Sequence, residues 1–194
     1  MTLATRTLKA LSFDEAAAFM EQGAAYVDLR PIPEYLDVHI PGSIALLYEM
    51  GPGMATRARD CLPLSVPLIL LGDDHADEMH AAASLRGKGF VVLGALEDGI
   101  NAWAQRHGAP ASTDVYESTE PPSGNLLDVN DSGAPRVETA RRVSIERLWD
   151  DVGEVVDVGR LIIVAGYGVR AAIAIGILER AGARNLGFWK RPRA

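Results

Sequence analysis

The stretch AAYVDLRPIPEYLDVHIPGS, residues 24–43, decides the fold. Residues 24–29 are a short apolar run broken only by Asp28, the pattern of a buried strand. The next six residues, RPIPEY, are turn-rich and lead into HIPGS at 39–43, where proline and glycine fix a loop rather than a regular element. Just upstream, SFDE at 12–15 places Glu15 three residues after Ser12, a capping box opening a helix over 14–22 that Gly23 ends. Downstream, PLILL at 67–71 reads as a second buried strand, 72–77 as a polar loop, and 78–87 as a helix burying Met79, Ala82, Ala83 and Leu85. A third strand starts at Gly89 and a short helix with Gly99 and Trp103 covers 96–105. Strands alternating with helices of about ten residues predict an α/β unit built on a parallel sheet.

Residues 107–124 change character, being rich in Pro, Ser and Thr and poor in apolar residues. They predict a linker, placed at 111–123. The pattern then restarts, with strands over 125–129 and 160–165 and a helix over 171–180 ended by Gly182. Gly72 to Gly89 and Ala165 to Gly182 both span 17 residues (89 − 72; 182 − 165), and each copy carries an Asp at the end of its first strand, Asp28 and Asp128. The chain therefore reads as two diverged copies of one α/β unit, 12–110 and a trimmed 124–194, each a small parallel sheet flanked by helices.

The 194 residues are 48% hydrophobic and 23% charged, which excludes disorder, collagen-like repeats and coiled coil. A formal net charge of −7 argues against nucleic acid or anionic membrane as a partner. The first residues hold too short an apolar run for a signal peptide or a membrane span. The single cysteine, Cys61, permits no internal disulfide, so a reducing cytoplasm is the expected compartment.

The motifs resemble a known family. YVDLR at 26–30, Glu34-Tyr35 and HIPGS at 39–43 are similar to the rhodanese pattern of Asp-x-Arg after a strand, then Glu-Tyr, then His-Ile-Pro-Gly-Ala. Gly89, Phe90, Leu96, Gly99 and Trp103 resemble that family's closing signature. The likeness covers roughly 12–110; in the second copy it rests mainly on the repeat, because the HIPG segment is missing there and the last elements look cut short. The resemblance implies a thiosulfate sulfurtransferase ancestry, with chemistry in a Cys-x-x-Gly-x-Arg loop between the central strand and a helix. A thiolate is stabilised there by inward-facing backbone N–H groups at a helix N-terminus.

That cysteine is absent from both copies. Counting back from Gly89 and Gly182 puts its positions at Gly72 and Ala165, and neither side chain can carry sulfur. The first loop holds His75 and four carboxylates, Asp73, Asp74, Asp77 and Glu78, and the carboxylates would repel an anionic substrate. The second retains the family's glycine and arginine positions as Gly168 and Arg170, so Gly166, Tyr167, Gly168, Val169 and Arg170 form the candidate anion-binding loop. Cys61 lies 11 residues before Gly72 (72 − 61) and reads as a small semi-buried apolar residue.

The cluster around His75 and His80 fits no standard metal spacing, so no metal site is expected. The Gly166–Ala171 stretch also satisfies a dinucleotide fingerprint, but no acidic residue follows Glu179, and no cofactor is expected. His39 reads as a structural hydrogen-bonding residue and the basic tail from Lys190 as a solvated end. The expected function is a catalytically inactive tandem that binds or regulates, with a small oxyanion, a protein partner or a second copy of the chain as candidate partners. The alternative is a sulfurtransferase that carries sulfur on Cys61 or on a partner's cysteine.

Overall fold

A computed structural model describes residues 7–48, 52–130, 133–134, 137–156, 159–166 and 168–190. The capping box forms as read: the Ser12 hydroxyl accepts from the Glu15 N–H at 3.3 Å, and the Glu15 carboxylate accepts from the Ser12 N–H at 3.0 Å. Strand β1 (Ala10–Leu11) precedes it, and helix α1 (Phe13–Glu21) follows and gives way at Gly23, whose φ of +94° favours glycine. All four residues of β2 (Ala25–Asp28) are buried.

The chain continues through α2 (Ile32–Asp37), β3 (Ile44–Ala45), α3 (Pro52–Cys61), β4 (Leu68–Leu71), α4 (His75–Gly87), β5 (Val92–Leu96) and α5 (Gly99–His107). The five strands pair in the order β1-β5-β4-β2-β3, all parallel. The second set is β6 (Asp114–Tyr116), β7 (Asn125–Asp128), β8 (Arg141–Arg142), α6 (Leu148–Asp151), β9 (Leu161–Ala165), α7 (Gly168–Arg180) and β10 (Leu186–Lys190). Its order, β6-β10-β9-β7-β8, reproduces the first sheet strand for strand, again all parallel. The chain is thus α/β, two parallel five-stranded sheets flanked by helices.

Several local readings change; in α4, Met79 and Ala83 are exposed, and Ala81 joins Ala82 and Leu85 on the buried side. Residues 30–35 are not all turn: α2 starts at Ile32, because Pro33 falls in the first helical turn, where its missing N–H has no partner to lose. The segment 111–123 contributes β6, which pairs with β10, although its sequence is polar. The end of the second copy is not cut short in its sheet, since β10 completes it. What the second copy lacks, among the described residues, is the helical cover of one face. In the first sheet α1 and α5 cover Tyr26, Ile69 and Leu71 with Phe19, Ile100 and Trp103. In the second, Leu126, Ile162, Val164 and Trp189 lie under irregular chain carrying Val137 and Ala140, and the Trp189 indole N–H donates to the Ser118 carbonyl.

On the other face one continuous apolar core runs through both units, including Val27, Ile44 and Leu70 from the first and Ile163, Ile173 and Phe188 from the second. Helix α7 is its centre: all eight residues from Ala171 to Leu178 are buried. Gly176 makes this possible, because a Cβ there would lie 2.1 Å from the Ser43 carbonyl oxygen of the first unit. Gly168 does the same beneath Ile32, at 2.9 Å from its Cγ2. No helix among the described residues is long and apolar enough to cross a membrane.

Candidate functional site

The two strand-to-helix loops carry the chemistry to be judged. In the first, the central strand β4 delivers Gly72 to the C-terminal edge of the sheet, where ligands bind in open parallel sheets. Asp74 caps α4, its Oδ1 accepting from the N–H groups of Ala76 (2.8 Å) and Asp77 (3.0 Å). This cap starts α4 at His75, three residues before the sequence periodicity does. Asp77 and Glu78 in the first turn suit the positive end of the helix dipole.

Glu78 does not point to water. Its side chain turns back over Gly72, so that a Cβ at Gly72 would lie 3.0 Å from Glu78 Cγ and 3.3 Å from its Oε1. Glu78 is 7% exposed, and burial pushes its carboxyl up from the ordinary range; the His75 imidazole, 3.4 Å away, and the Gly72 N–H pull the other way. The position that the sequence count assigns to the family nucleophile is therefore a glycine with the Glu78 side chain turned over it.

Around it opens a cleft of about 420 Å³, lined by Arg30, Asp73, Glu78, Glu97, Asp98 and Asn101 among others. Arg30 is its buried cation, and it is spent. Its Nε and Nη2 donate to the two Asp28 oxygens at 3.0 and 2.6 Å, and Nη2 also donates to the Val38 carbonyl at 2.8 Å. With that charge neutralised, the carboxylates set the sign of the cleft, which disfavours an anion. His80, the other histidine of the acidic cluster, faces the Tyr48 hydroxyl at 3.2 Å instead of His75. Among the described residues no group of three or more His, Cys, Asp or Glu could hold a metal ion.

The second loop follows β9, whose last residue, Ala165, counted from Gly182 as the second nucleophile position, is fully buried. The Gly166 N–H donates to the Asn130 side-chain oxygen at 2.7 Å, and the Asn130 amide donates to Asp128 Oδ1 at 2.8 Å. Tyr167 lies outside the described residues. Gly168 opens α7 beneath Ile32, and Val169 is half-buried. Arg170 turns to the chain itself, donating to the Val129 carbonyl at 3.3 Å and pairing with Glu146 at 3.4 Å. Glu146 also faces Arg57 of α3 at 3.8 Å, so this cation belongs to a link between the units. The structure brings Gly166, Gly168, Val169 and Arg170 together, with the Gly166 N–H and the guanidinium already engaged.

The units also differ one step earlier. Asp28 is held by Arg30 two residues on, whereas Asp128 is held by Asn130 at the matching position and by Arg142 of β8 at 3.3 Å. The Asp-x-Asn spacing at 128–130 carried that signal in the sequence. The inward turn of Glu78 had no such signal, because Gly72 and Glu78 meet only through the fold.

Cys61 ends α3 at 2% exposure, and burial in the first place pushes its thiol up to about 12. That burial disfavours the thiolate, the form in which a cysteine acts as a nucleophile. His39 is likewise fully buried and faces Glu179 of α7 across the units.

A family model described as the Rhodanese-like domain matches residues 12–106. The thiosulfate sulfurtransferase GlpE of Pseudomonas savastanoi pv. phaseolicola is 30% identical over 90 residues, covering 46% of this chain and 81% of that protein. Among solved structures, a thiosulfate sulfurtransferase from Pseudomonas aeruginosa is 19% identical, covering 94% of this chain and 38% of its own, with a TM-score of 0.43. SseA from Escherichia coli, described as a 3-mercaptopyruvate sulfotransferase, is 16% identical, covering 97% and 100%, with a TM-score of 0.45.

Proposed function

The chain belongs to the rhodanese-like family, a relative of the thiosulfate sulfurtransferases, and from that premise we propose that it no longer transfers sulfur through a cysteine of its own and serves as a binding or regulatory module. One observation carries this reading: Gly72, taken as the nucleophile position of the open cleft, has no side chain and lies under Glu78, which crowds the Cβ that any side chain there would need. The buried Ala165 in the second loop and the high-lying thiol of Cys61 support it from two further directions. The functional units are taken as 12–110 and 124–194, the second sheet being completed by β6 from the joining segment 111–123, in a reducing cytoplasmic setting that suits a single buried cysteine.

A small oxyanion is the ligand class whose chemistry the second loop suits, through the first N–H groups of α7 and Arg170. Such a ligand would compete with Glu146 for the guanidinium, so binding is weak and sensitive to salt. A protein partner or a second copy of the chain fills the same modular role without that loop.

The test is incubation with thiosulfate and cyanide. The expected result is no thiocyanate above the level of a cysteine-free control, and an intact mass without the gain of one sulfur atom. A persulfide on Cys61, with turnover lost in Cys61→Ser, would replace this reading with the sulfurtransferase alternative.

A further inference from the structure

The His39 imidazole is fully buried between the two units. Its Nδ1 lies 2.8 Å from the Tyr35 carbonyl oxygen, and its Nε2 lies 3.2 and 3.1 Å from the two oxygens of the Glu179 carboxylate. Oε2 of Glu179 also accepts from the Gly42 N–H at 2.8 Å. A carbonyl oxygen only accepts, so the ring proton of a neutral His39 belongs on Nδ1. The Nε2 lone pair would then face a carboxylate, two acceptors in contact with water excluded. The contact closes as a hydrogen bond only when a second proton sits between ring and carboxylate.

We propose that His39 and Glu179 form a proton-holding clasp that fixes α7 of the second unit on the first, and that withdrawing the proton loosens the two units. The surroundings suit this role. Glu179 stands near the C-terminal end of α7, where cations are favoured, and the next residue, Arg180, donates to the Ala24 and Gly23 carbonyls of the first unit at 2.9 and 3.1 Å. The charged and titratable groups around the ring are few. Helix α7 supplies Glu179 and Arg180; α2 supplies Tyr35, stacked on the imidazole with centroids 4.3 Å apart, and Asp37, two residues before it. The end of β2 supplies the Asp28–Arg30 pair, whose guanidinium binds the carbonyl of Val38. The segment opposite, at Ala111, offers backbone bonds only, the His39 N–H to the Ala111 carbonyl and the reverse, both 2.9 Å. Nothing in this set replaces Glu179 as the partner of Nε2.

Glu179→Gln separates the clasp from mere packing. The amide keeps the size of the carboxylate and an oxygen for the Gly42 N–H, and its NH₂ can donate to the Nε2 of a neutral ring. On the intact chain at about pH 6, nitrogen-resolved NMR is expected to show both His39 ring nitrogens protonated in the wild type and one in Glu179→Gln. The folded wild type binds the clasp proton, so its stability is lost as pH rises and the proton leaves. Between about pH 6 and 9 the wild-type Tm is expected to fall by roughly 3–5 °C more than that of Glu179→Gln. A single ring proton on His39 in the wild type overturns the clasp, a result available even if the variant does not fold. Parallel pH profiles for the two chains overturn it as well.

Discussion

The loop after β4 and the loop after β9 stand at the same place in two sheets of identical strand order, yet each has been closed by different means. The first lies beside an open cleft and is filled from within by Glu78, with Arg30 held by Asp28. The second keeps a glycine-rich turn and an arginine, but sits at the seam between units, with Gly168 under Ile32, the Gly166 N–H on Asn130 and Arg170 on Glu146. The difference follows the neighbours: the loop beside the open cleft carries charged side chains, and the loop at the seam is engaged in packing.

The helices that follow make the contrast measurable, since glycine occurs in both. Gly176→Ala in α7 drives a Cβ into the Ser43 carbonyl and is expected to cost about 3 kcal/mol, because backbone must move. Gly87→Ala at the exposed end of α4 meets nothing within 4 Å and is expected to be neutral or to stabilise by about 0.5 kcal/mol. Denaturant midpoints of the two variants read this directly. Equal effects would break the contrast between a seam helix and a surface one.

A smaller effect tests the first loop. Burial raises the Glu78 carboxyl, so the folded state holds that proton more tightly than the unfolded chain does. Stability is then lost as pH rises through the folded-state titration. Glu78→Gln removes the buried charge and is expected to be the more stable chain at neutral pH, the gap closing in acid. Thermal melts of both across that range check it, and a wild type that gains on Glu78→Gln as pH rises would contradict the sign.

The smallest change lies in the seam itself. The Ser43 hydroxyl is buried with no hydrogen-bond partner among the described residues, at a position where the family pattern has alanine. Ser43→Ala is expected to stabilise by about 1 kcal/mol, readable as a raised Tm. A loss of that size would mean that the hydroxyl has a partner after all.

Much of this was legible in the chain itself. The strands at Ala25–Asp28, Leu68–Leu71 and Leu161–Ala165 announce themselves as apolar runs, and Ser12 with Glu15 writes its own helix start, because these signals are local. Helix α2 was hidden by Pro33, which breaks helices in their interior but is tolerated in their first turn. Strand β6 was hidden because Asp114, Val115 and Tyr116 sit in an otherwise polar, proline-containing segment and become a strand only when β10 is beside them. The identities of Gly72 and Ala165 are covalent facts, and the sequence by itself determined that neither loop contains a thiol. It could not determine what replaces sulfur there. The turn of Glu78 over Gly72, the pairing of Arg170 with Glu146 and the meeting of His39 with Glu179, 140 residues away, depend on which surfaces the packed units press together. Burial and hydrogen-bond partnership are properties of that packing, and they exist only once the chain has folded.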